Sequence, residues 1–215
     1  MKTKLIAALI VGATVVPALQ GCFPMVATGI TSGVLATVDR RSLGTQTEDE
    51  SIEWKASARV SEKLGDKTHA NFTSFNRKVL LSGEVPTAEA KAEAEAIVNG
   101  VANVQGVYNE LVVGPVSSYS TRSNDSFITS KVKSRSVDTG KFNPVHVKVV
   151  TEAGTVFLLG MVTQPEADAA INVARTTAGV KRVVNLLEII EPAKARALDK
   201  VQSTSSNGQP AEVRN

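Results

Sequence analysis

Cysteine is nearly absent from this 215-residue chain, because Cys22 is the only one. A single cysteine cannot form a disulfide within the chain, so a folded domain must be held together by its apolar core. Histidine is also scarce, and neither His69 nor His146 has cysteine, histidine or acidic neighbours at metal-ligand spacing. No nucleophile motif, P-loop or dinucleotide fingerprint occurs in the sequence. We therefore expect no bound metal or cofactor, and we expect the chain not to be an enzyme.

Net charge is small as well. The 24 lysines and arginines against 21 acidic residues give a formal charge of +3. Without residues 1–21, which contain Lys2 and Lys4 and no acidic residue, the formal charge would be 22 − 21 = +1. Broad nucleic-acid binding requires a clearly basic domain, so this balance argues against nucleic acid as a partner.

The amino terminus has an apolar run, but a short one. Leu5 to Leu19 covers 19 − 5 + 1 = 15 largely apolar residues, fewer than the roughly 20 that a bilayer-spanning helix needs. Lys2 and Lys4 precede the run, and Leu19-Gln20-Gly21-Cys22 ends it. This arrangement is typical of a cleaved secretory signal, which we assign to residues 1–21.

The tetrapeptide that ends at Cys22 resembles a bacterial lipobox. The resemblance implies cleavage before Cys22, a thioether-linked diacylglycerol on its sulfur, and an acyl group such as palmitate on its new amino terminus. Several acyl chains make a stable anchor, since each buried methylene contributes about 0.8 kcal/mol. Phe23 stands where the inner-membrane retention signal typically has Asp. By this resemblance the destination is the outer membrane of a Gram-negative bacterium, on the side facing the periplasm.

The rest of the chain contains an internal repeat. Residues 79–113 read VLLSGEVPTAEAKAEAEAIVNGVANVQGVYNELVV, and residues 156–190 read VFLLGMVTQPEADAAINVARTTAGVKRVVNLLEII. Gly83 and Gly160 are equivalent positions, at an offset of 160 − 83 = 77. A degenerate repeat of this length indicates two copies of one small module.

Each copy is predicted to be a strand, a helix and a second strand. Residues 156–162 are β-branched and aliphatic, and Gly160 interrupts them where a bulge or a close backbone approach is expected. From Pro165 to Ala178 the apolar residues recur every three or four positions, which predicts a one-faced helix that Gly179 ends. Residues 183–190 are again strand-like, so the helix must lie on one face of a sheet.

An amphipathic helix is expected before each copy. In residues 51–64 the apolar positions recur every four residues, and Ser51 or Asp49 is the expected cap. The second such helix is expected to open at Asp125, and Ser136 stands where an apolar residue should be, which weakens its last turn. Short strands are expected at residues 71–75, 146–150 and 155–162, with a turn at Glu152-Ala153-Gly154.

The sequence thus predicts an α+β fold with two tandem αββαβ modules, each a three-stranded mixed sheet with two helices packed on it. The expected boundaries are a lipidated tether at 22–50, modules at 51–114 and 125–191, a linker at 115–124, and a disordered tail at 192–215. Within the tail, a short helix through 193–201 is an alternative to complete disorder.

The paired modules resemble the BON domain, named for bacterial osmotically induced and nodulation proteins, over about residues 51–191. The resemblance rests on Gly83 and Gly160 after an apolar strand, the Ala-rich helices, and the closing segments Gly106-Val107-Tyr108-Asn109 and Gly179-Val180-Lys181-Arg182-Val183-Val184-Asn185. Together with a lipobox, it implies a non-catalytic outer-membrane lipoprotein. Such proteins bind anionic phospholipids, phosphatidylglycerol or cardiolipin, through the first helix of the second module, gather at division sites and support envelope integrity.

The first helix of the second module fits that expectation. At about 100° per residue, Lys131 and Arg135 lie within about 80° of Phe127, whereas Ile128 and Val132 lie on the core side. An outward Phe127 beside Lys131, Lys133 and Arg135 suits a bilayer interface, where the ring enters the headgroup boundary and the cations meet phosphate. Alternatively, Phe127 packs on the linker or the first module and the cations form a solvated face.

A second hypothesis is a periplasmic adaptor that binds outer-membrane assembly or envelope-stress proteins. Trp54 lies on the opposite side of its helix from Ile52, where it either docks the two modules or meets another protein. The acidic residues of the first module form a patch that we expect to be a solvated helix face first and a partner site second: Glu84, Glu89, Glu93 and Glu95.

Overall fold

A computed structural model describes residues 39–65 and 68–206 of the chain. Its elements are α1 (Leu43–Leu64), β1 (His69–Phe75), β2 (Lys78–Val85), α2 (Ala88–Asn99), β3 (Gly106–Asn109), β4 (Val112–Val113), α3 (Tyr119–Thr139), a 3₁₀ turn (Pro144–His146), β5 (Val147–Glu152), β6 (Thr155–Val162), α4 (Gln164–Arg175), β7 (Arg182–Ile189) and α5 (Pro192–Ser206). The order confirms the predicted α+β fold with two αββαβ repeats.

Each module forms one mixed sheet. In the first, β2 pairs antiparallel with β1 and parallel with β3. The short β4 also pairs with β2, so this sheet has four strands instead of the expected three. In the second, β6 lies between antiparallel β5 and parallel β7. The parallel pairs are joined through α2 and α4, as a crossover connection requires.

The helices of each module cover one face of its sheet. Ile52, Ala56 and Val60 of α1 pack with β2 residues in the first core. Ile128 and Val132 of α3 occupy the same place in the second core. The four-residue spacing of apolar positions therefore predicted correctly which side of α1 and α3 faces the sheet.

The other faces of the two sheets pack against each other. Leu80 of β2 and Phe157 and Leu159 of β6 belong to one buried cluster, to which α5 contributes Ala195. The molecule is therefore layered as helices, sheet, sheet, helices. A strand that is buried on both faces has an unbroken apolar run in place of alternation, which explains the composition of β6.

Glycine allows the central strands to approach the preceding backbone. A Cβ at Gly160 would overlap the carbonyl oxygen of His146, and one at Gly83 would overlap that of His69. Gly83 also has φ of +109°, a conformation that strains other residues. Of the bulge or close backbone approach expected at Gly160, the structure shows the close approach, and Gly83 makes the same approach in the first module.

The two first helices begin earlier than expected. α1 starts after Ser42, whose Oγ accepts a hydrogen bond from the Thr45 amide at 3.1 Å. α3 starts after Ser118, whose Oγ accepts from the Thr121 amide at 3.2 Å. The starts predicted at 51 and 125 were therefore wrong. Their first turns carry little apolar periodicity because much of that surface faces solvent, so the serine caps were the available signal.

Asp49 and Asp125 were candidates for helix caps, but in the structure they bind the β-hairpin turns instead. Asp125 accepts from the backbone amides of residues 153 and 154 at 2.9 and 2.8 Å. Asp49 accepts from the amides of residues 76 and 77 at 2.9 and 2.7 Å. All four turn residues have positive φ. The carboxylates supply acceptors for turn amides, which explains why both acids are buried.

Ser136 does not weaken α3, contrary to expectation. The helix continues to Thr139. The buried Ser136 hydroxyl donates to the Val132 carbonyl at 2.8 Å, so its burial leaves no unsatisfied donor.

Segments on both sides of the two modules are also ordered. The expected tether is already structured at Arg40, which is 4% exposed and donates to the Met161 carbonyl at 2.9 Å. The expected disordered tail instead contains α5, which is held by buried Ala195 and by an ion pair between Asp199 and Arg40. A few contacts with the shared core are enough to hold α5, so this helix does not need the sustained apolar face whose lack predicted disorder.

Candidate lipid-contact site

Helix α3 presents the predicted site on its solvent side. Ile128 and Val132 are 0% and 1% exposed, whereas Phe127 is 61% exposed. The structure therefore does not support the alternative that Phe127 packs on the linker or the first module. A large exposed ring beside buried neighbours is the orientation that the helical geometry predicted.

Lys131 lies directly beside the Phe127 ring. Its ammonium nitrogen is 4.7 Å from the ring centroid and donates to the Ala178 carbonyl at 2.5 Å. The first contact is a cation–π interaction, and the second ties the lysine to the loop after α4. Phe127 and Lys131 thus form one unit on the surface, with the ring and the charge side by side.

Arg135 makes structural contacts that its position in the sequence does not predict. Its guanidinium donates to the hydroxyls of Thr177 at 2.8 Å and Thr176 at 3.0 Å, and to the Val173 carbonyl at 3.2 Å. These oxygens lie at the carboxyl end of α4, whose partial negative charge favours a cation. Arg135 therefore fastens α3 to α4 while remaining exposed.

A cleft of about 340 Å³ lies between α3 and the end of α4. It is lined by Lys131, Ser134, Arg135, Thr176, Thr177 and Ala178. Two cations and several hydroxyls are donors that suit phosphate oxygens. The cleft brings Lys131 and Arg135 together.

Lys133 lies on another side of α3 from Lys131 and Arg135. It is exposed and lines a second groove, of about 320 Å³, with Val137 and Lys148. Val137 is itself 66% exposed, and Tyr119 at the start of the helix is 85% exposed. Both apolar positions were missed, Tyr119 because the helix was expected to start at Asp125. Val137 could have been found by extending the helical angles one residue beyond Ser136.

A second cluster of chemically active side chains lies where the modules meet. Glu84 Oε2 is 2.9 Å from His69 Nδ1, and Glu152 Oε1 accepts from Asn71 Nδ2 at 2.6 Å. Ligand atoms of His69, Glu84 and Glu152 all lie within 4.8 Å of one another. The fold therefore gives His69 two acidic neighbours in space that its sequence spacing did not predict. Sequence spacing carried no signal for Glu152, because it belongs to the other module.

Burial affects the protonation of Glu152. Burial raises the pKa of Glu152, and the hydrogen bond from Asn71 and the nearby His69 oppose this rise only in part. The carboxylates of Glu84 and Asp125 raise the pKa further. Glu84 is 7% exposed and belongs to β2. Its assignment to a solvated helix face was therefore wrong.

The features of the adaptor hypothesis fall on the first module. Trp54 is 72% exposed, so it does not dock the two modules. Glu89 is exposed at the start of α2, as expected for a solvated face. Glu95 accepts a hydrogen bond from Asn109 at 2.9 Å, which gives it a role in holding α2 to β3.

Membrane attachment was predicted at Cys22, which lies outside the described residues together with the signal at 1–21 and Phe23. Across residues 39–65 and 68–206, none of the helices has the length and hydropathy that a bilayer span requires.

Comparison with known proteins identifies the family. The BON domain matches at residues 51–115 and 124–191. The chain is 39% identical over 186 residues to the outer membrane lipoprotein DolP of Haemophilus influenzae, an alignment that covers 86% of this chain and 95% of that protein. It is 36% identical over 156 residues to the 21 kDa hemolysin of Actinobacillus pleuropneumoniae, covering 72% and 80% of the two chains. It is 32% identical over 142 residues to the osmotically-inducible protein Y of Escherichia coli, covering 61% and 69%.

The likeness to DolP over most of both chains confirms the predicted resemblance and the location at the outer membrane. Two matched BON segments account for the internal repeat and for the two sheets. The chain therefore belongs to the BON-domain family, and it is similar to the DolP-like outer-membrane lipoproteins.

Proposed function

We propose that the protein binds anionic phospholipid through α3 and, by holding that contact at the outer membrane, supports envelope integrity at the division site. The interaction is non-catalytic, and Cys22 supplies a separate lipid anchor. The observation that carries the proposal is the exposed Phe127 ring with the Lys131 ammonium 4.7 Å from its centroid. An apolar group beside a cation fits the headgroup boundary, where both find partners.

The surroundings of this pair extend the contact surface. Tyr119 and Val137 add exposed apolar area on the same helix. Lys133 and Arg135 add charge on either side of it. Each cation near an anionic bilayer contributes about 1 kcal/mol, so the attachment is weak, additive and sensitive to salt.

The test is flotation of the chain from residue 22 onward, with Cys22→Ser to prevent acylation, on phosphatidylglycerol or cardiolipin vesicles and on phosphatidylcholine vesicles. We expect binding to the anionic vesicles only, with a decrease as salt is added. Phe127→Ala should abolish it. Lys133→Glu, which changes the charge by two, should weaken it by about thirty-fold.

Two matched variants control for general surface effects. Trp54→Ala removes another exposed aromatic side chain, and Lys63→Glu reverses another exposed lysine, both on α1. Neither should change flotation. If the folded chain binds neither type of vesicle at low salt, or if Trp54→Ala removes binding as completely as Phe127→Ala does, α3 is not the lipid site.

The second candidate function is a protein adaptor, which the exposure of Trp54 favours. A site of this kind would retain an outer-membrane assembly or envelope protein on the immobilised chain. Trp54→Ala would remove that protein, whereas Phe127→Ala would not. The same two variants therefore distinguish the two functions in opposite directions.

A further inference from the structure

The cluster of His69, Glu84 and Glu152 lies beside the first half of α3, at a cleft that neither Phe127 nor Lys131 of the proposed lipid contact lines. His69 and Glu84 are directly opposed residues of β1 and β2, on the sheet face that is turned toward the second module. Glu152 is the last residue of β5, and it reaches the first module through Asn71. Two possible metal ligands from the first module therefore meet a third from the second module.

We propose that His69, Glu84 and Glu152 form a binding site for a divalent transition-metal ion of the zinc type, which joins the two modules. Their ligand atoms lie within 4.8 Å of one another, and His69 Nδ1 is 2.9 Å from Glu84 Oε2. Ligands about 2.0 Å from a tetrahedral ion are roughly 3.3 Å apart. Only small side-chain rotations are therefore needed to surround an ion.

The donor types select the class of metal. One imidazole nitrogen and two carboxylate oxygens form a set that binds Zn²⁺, whereas Ca²⁺ and Mg²⁺ prefer oxygen ligands alone. Three protein ligands leave a fourth position for water. His69 and Glu152 line a cleft of about 410 Å³, which provides a path for the ion and room for that water.

The charge around the cleft also favours a cation. Among the residues that the structure describes, Asp125 and Glu152 line it and Glu84 adjoins it, whereas Arg122 is the cation that faces it. The Arg122 guanidinium lies 4.5 Å from the centroid of the Tyr119 ring, and Asp125 is engaged by the hairpin amides. Within this described set, three carboxylates against one guanidinium leave an excess of negative charge that a divalent ion would neutralise.

Neighbouring groups hold the proposed ligands in place. Asn71 binds one oxygen of Glu152, and the Ser117 amide donates to Glu84 Oε2 at 3.2 Å. Such supporting hydrogen bonds orient metal ligands and raise affinity. Because the ion would contact both modules only in the folded chain, its binding would also stabilise their association by mass action.

The experiment titrates Zn²⁺ into the untagged chain from residue 22 with Cys22→Ser, which removes the only thiol. Calorimetry should show one saturable site, and Zn²⁺ should raise Tm. His69→Ala and Glu152→Gln should each weaken binding by at least about tenfold and reduce the rise in Tm. Glu89→Gln, the same change at an exposed acid, should leave both unchanged.

A direct readout keeps the test decisive if His69→Ala fails to fold. In the Cys22→Ser chain, Zn²⁺ should shift the NMR signals of the His69 ring and leave those of His146 unchanged. The proposal is overturned if no saturable binding occurs up to about 1 mM Zn²⁺. It is equally overturned if Zn²⁺ binds with the His69 signals unmoved, or if folded Glu152→Gln binds as tightly as its parent.

Discussion

Arg40 donates to both carboxylate oxygens of Glu166, with Nη1 2.8 Å from Oε2 and Nη2 3.0 Å from Oε1. Its Nε is also 2.9 Å from Asp199 Oδ1. One buried guanidinium thus connects the segment before α1 with the first turn of α4 and with α5. Removing one partner of a buried ion pair leaves the other charges uncompensated, which makes this contact a sensitive point of the fold.

Arg40→Ala should lower the free energy of unfolding by about 3 kcal/mol, because two carboxylates and the Met161 carbonyl lose their donor. Urea denaturation measures the change. Arg196→Ala, at an exposed arginine on α5, is the matched control and should cost less than about 0.5 kcal/mol. Equal effects of the two variants would contradict the structural role of Arg40.

Stability should depend on pH through Glu166. Burial alone would raise its pKa, but the hydrogen bonds from Arg40 and Thr163 outweigh burial and lower the pKa from 4.5 to about 2. The ionised form is therefore favoured by folding, and its contribution is complete above the ordinary pKa and is lost as the pH falls from 4.5 toward about 2. With solvent screening, we expect a loss on the order of 1–2 kcal/mol.

Urea melts of the parent chain and of Glu166→Gln measure this contribution at about pH 6 and about pH 3. The stability difference between the two proteins should shrink at the lower pH, because protonated Glu166 resembles the amide. A difference that stays constant across this range would show that the Glu166 carboxyl is not held ionised by Arg40.

Gly160→Ala should destabilise the second module by at least about 2 kcal/mol, because the new Cβ would overlap the His146 carbonyl across the β5–β6 pair. Gly114→Ala is the matched control, since no atom of the described residues lies within 4 Å of a Cβ at that position. Thermal unfolding monitored by circular dichroism compares the two. A normal Tm for Gly160→Ala would refute the close approach of these backbones.

Asp125→Ala should lower stability by about 2–3 kcal/mol, because it leaves the Ala153 and Gly154 amides without their charged acceptor. Hydrogen exchange of those two amides should accelerate as well. Asp138→Ala, at an exposed acid of the same helix, should change neither quantity. If the turn amides exchange at their original rate in Asp125→Ala, another group must protect them.

Local patterns predicted much of this fold because they report which side of an element is apolar. The spacing of Ile52, Ala56 and Val60 showed which side of α1 is buried, and the same reasoning placed Phe127 on the outside of α3. Helix starts were less visible. The serine caps at 42 and 118 lie in polar sequence, and the two buried aspartates that resembled caps bind distant turns.

The sequence by itself determined the repeat, the order of elements, and the inward side of each first helix, because these depend on residues a few positions apart. Only the tertiary structure decided that the two sheets pack face to face, that Arg40 reaches Glu166 across 126 residues, and that Glu152 joins His69 and Glu84. An apolar strand face records that it must be covered, but not by what. A buried charge is likewise satisfied by whichever partner the packing of the two modules brings to it.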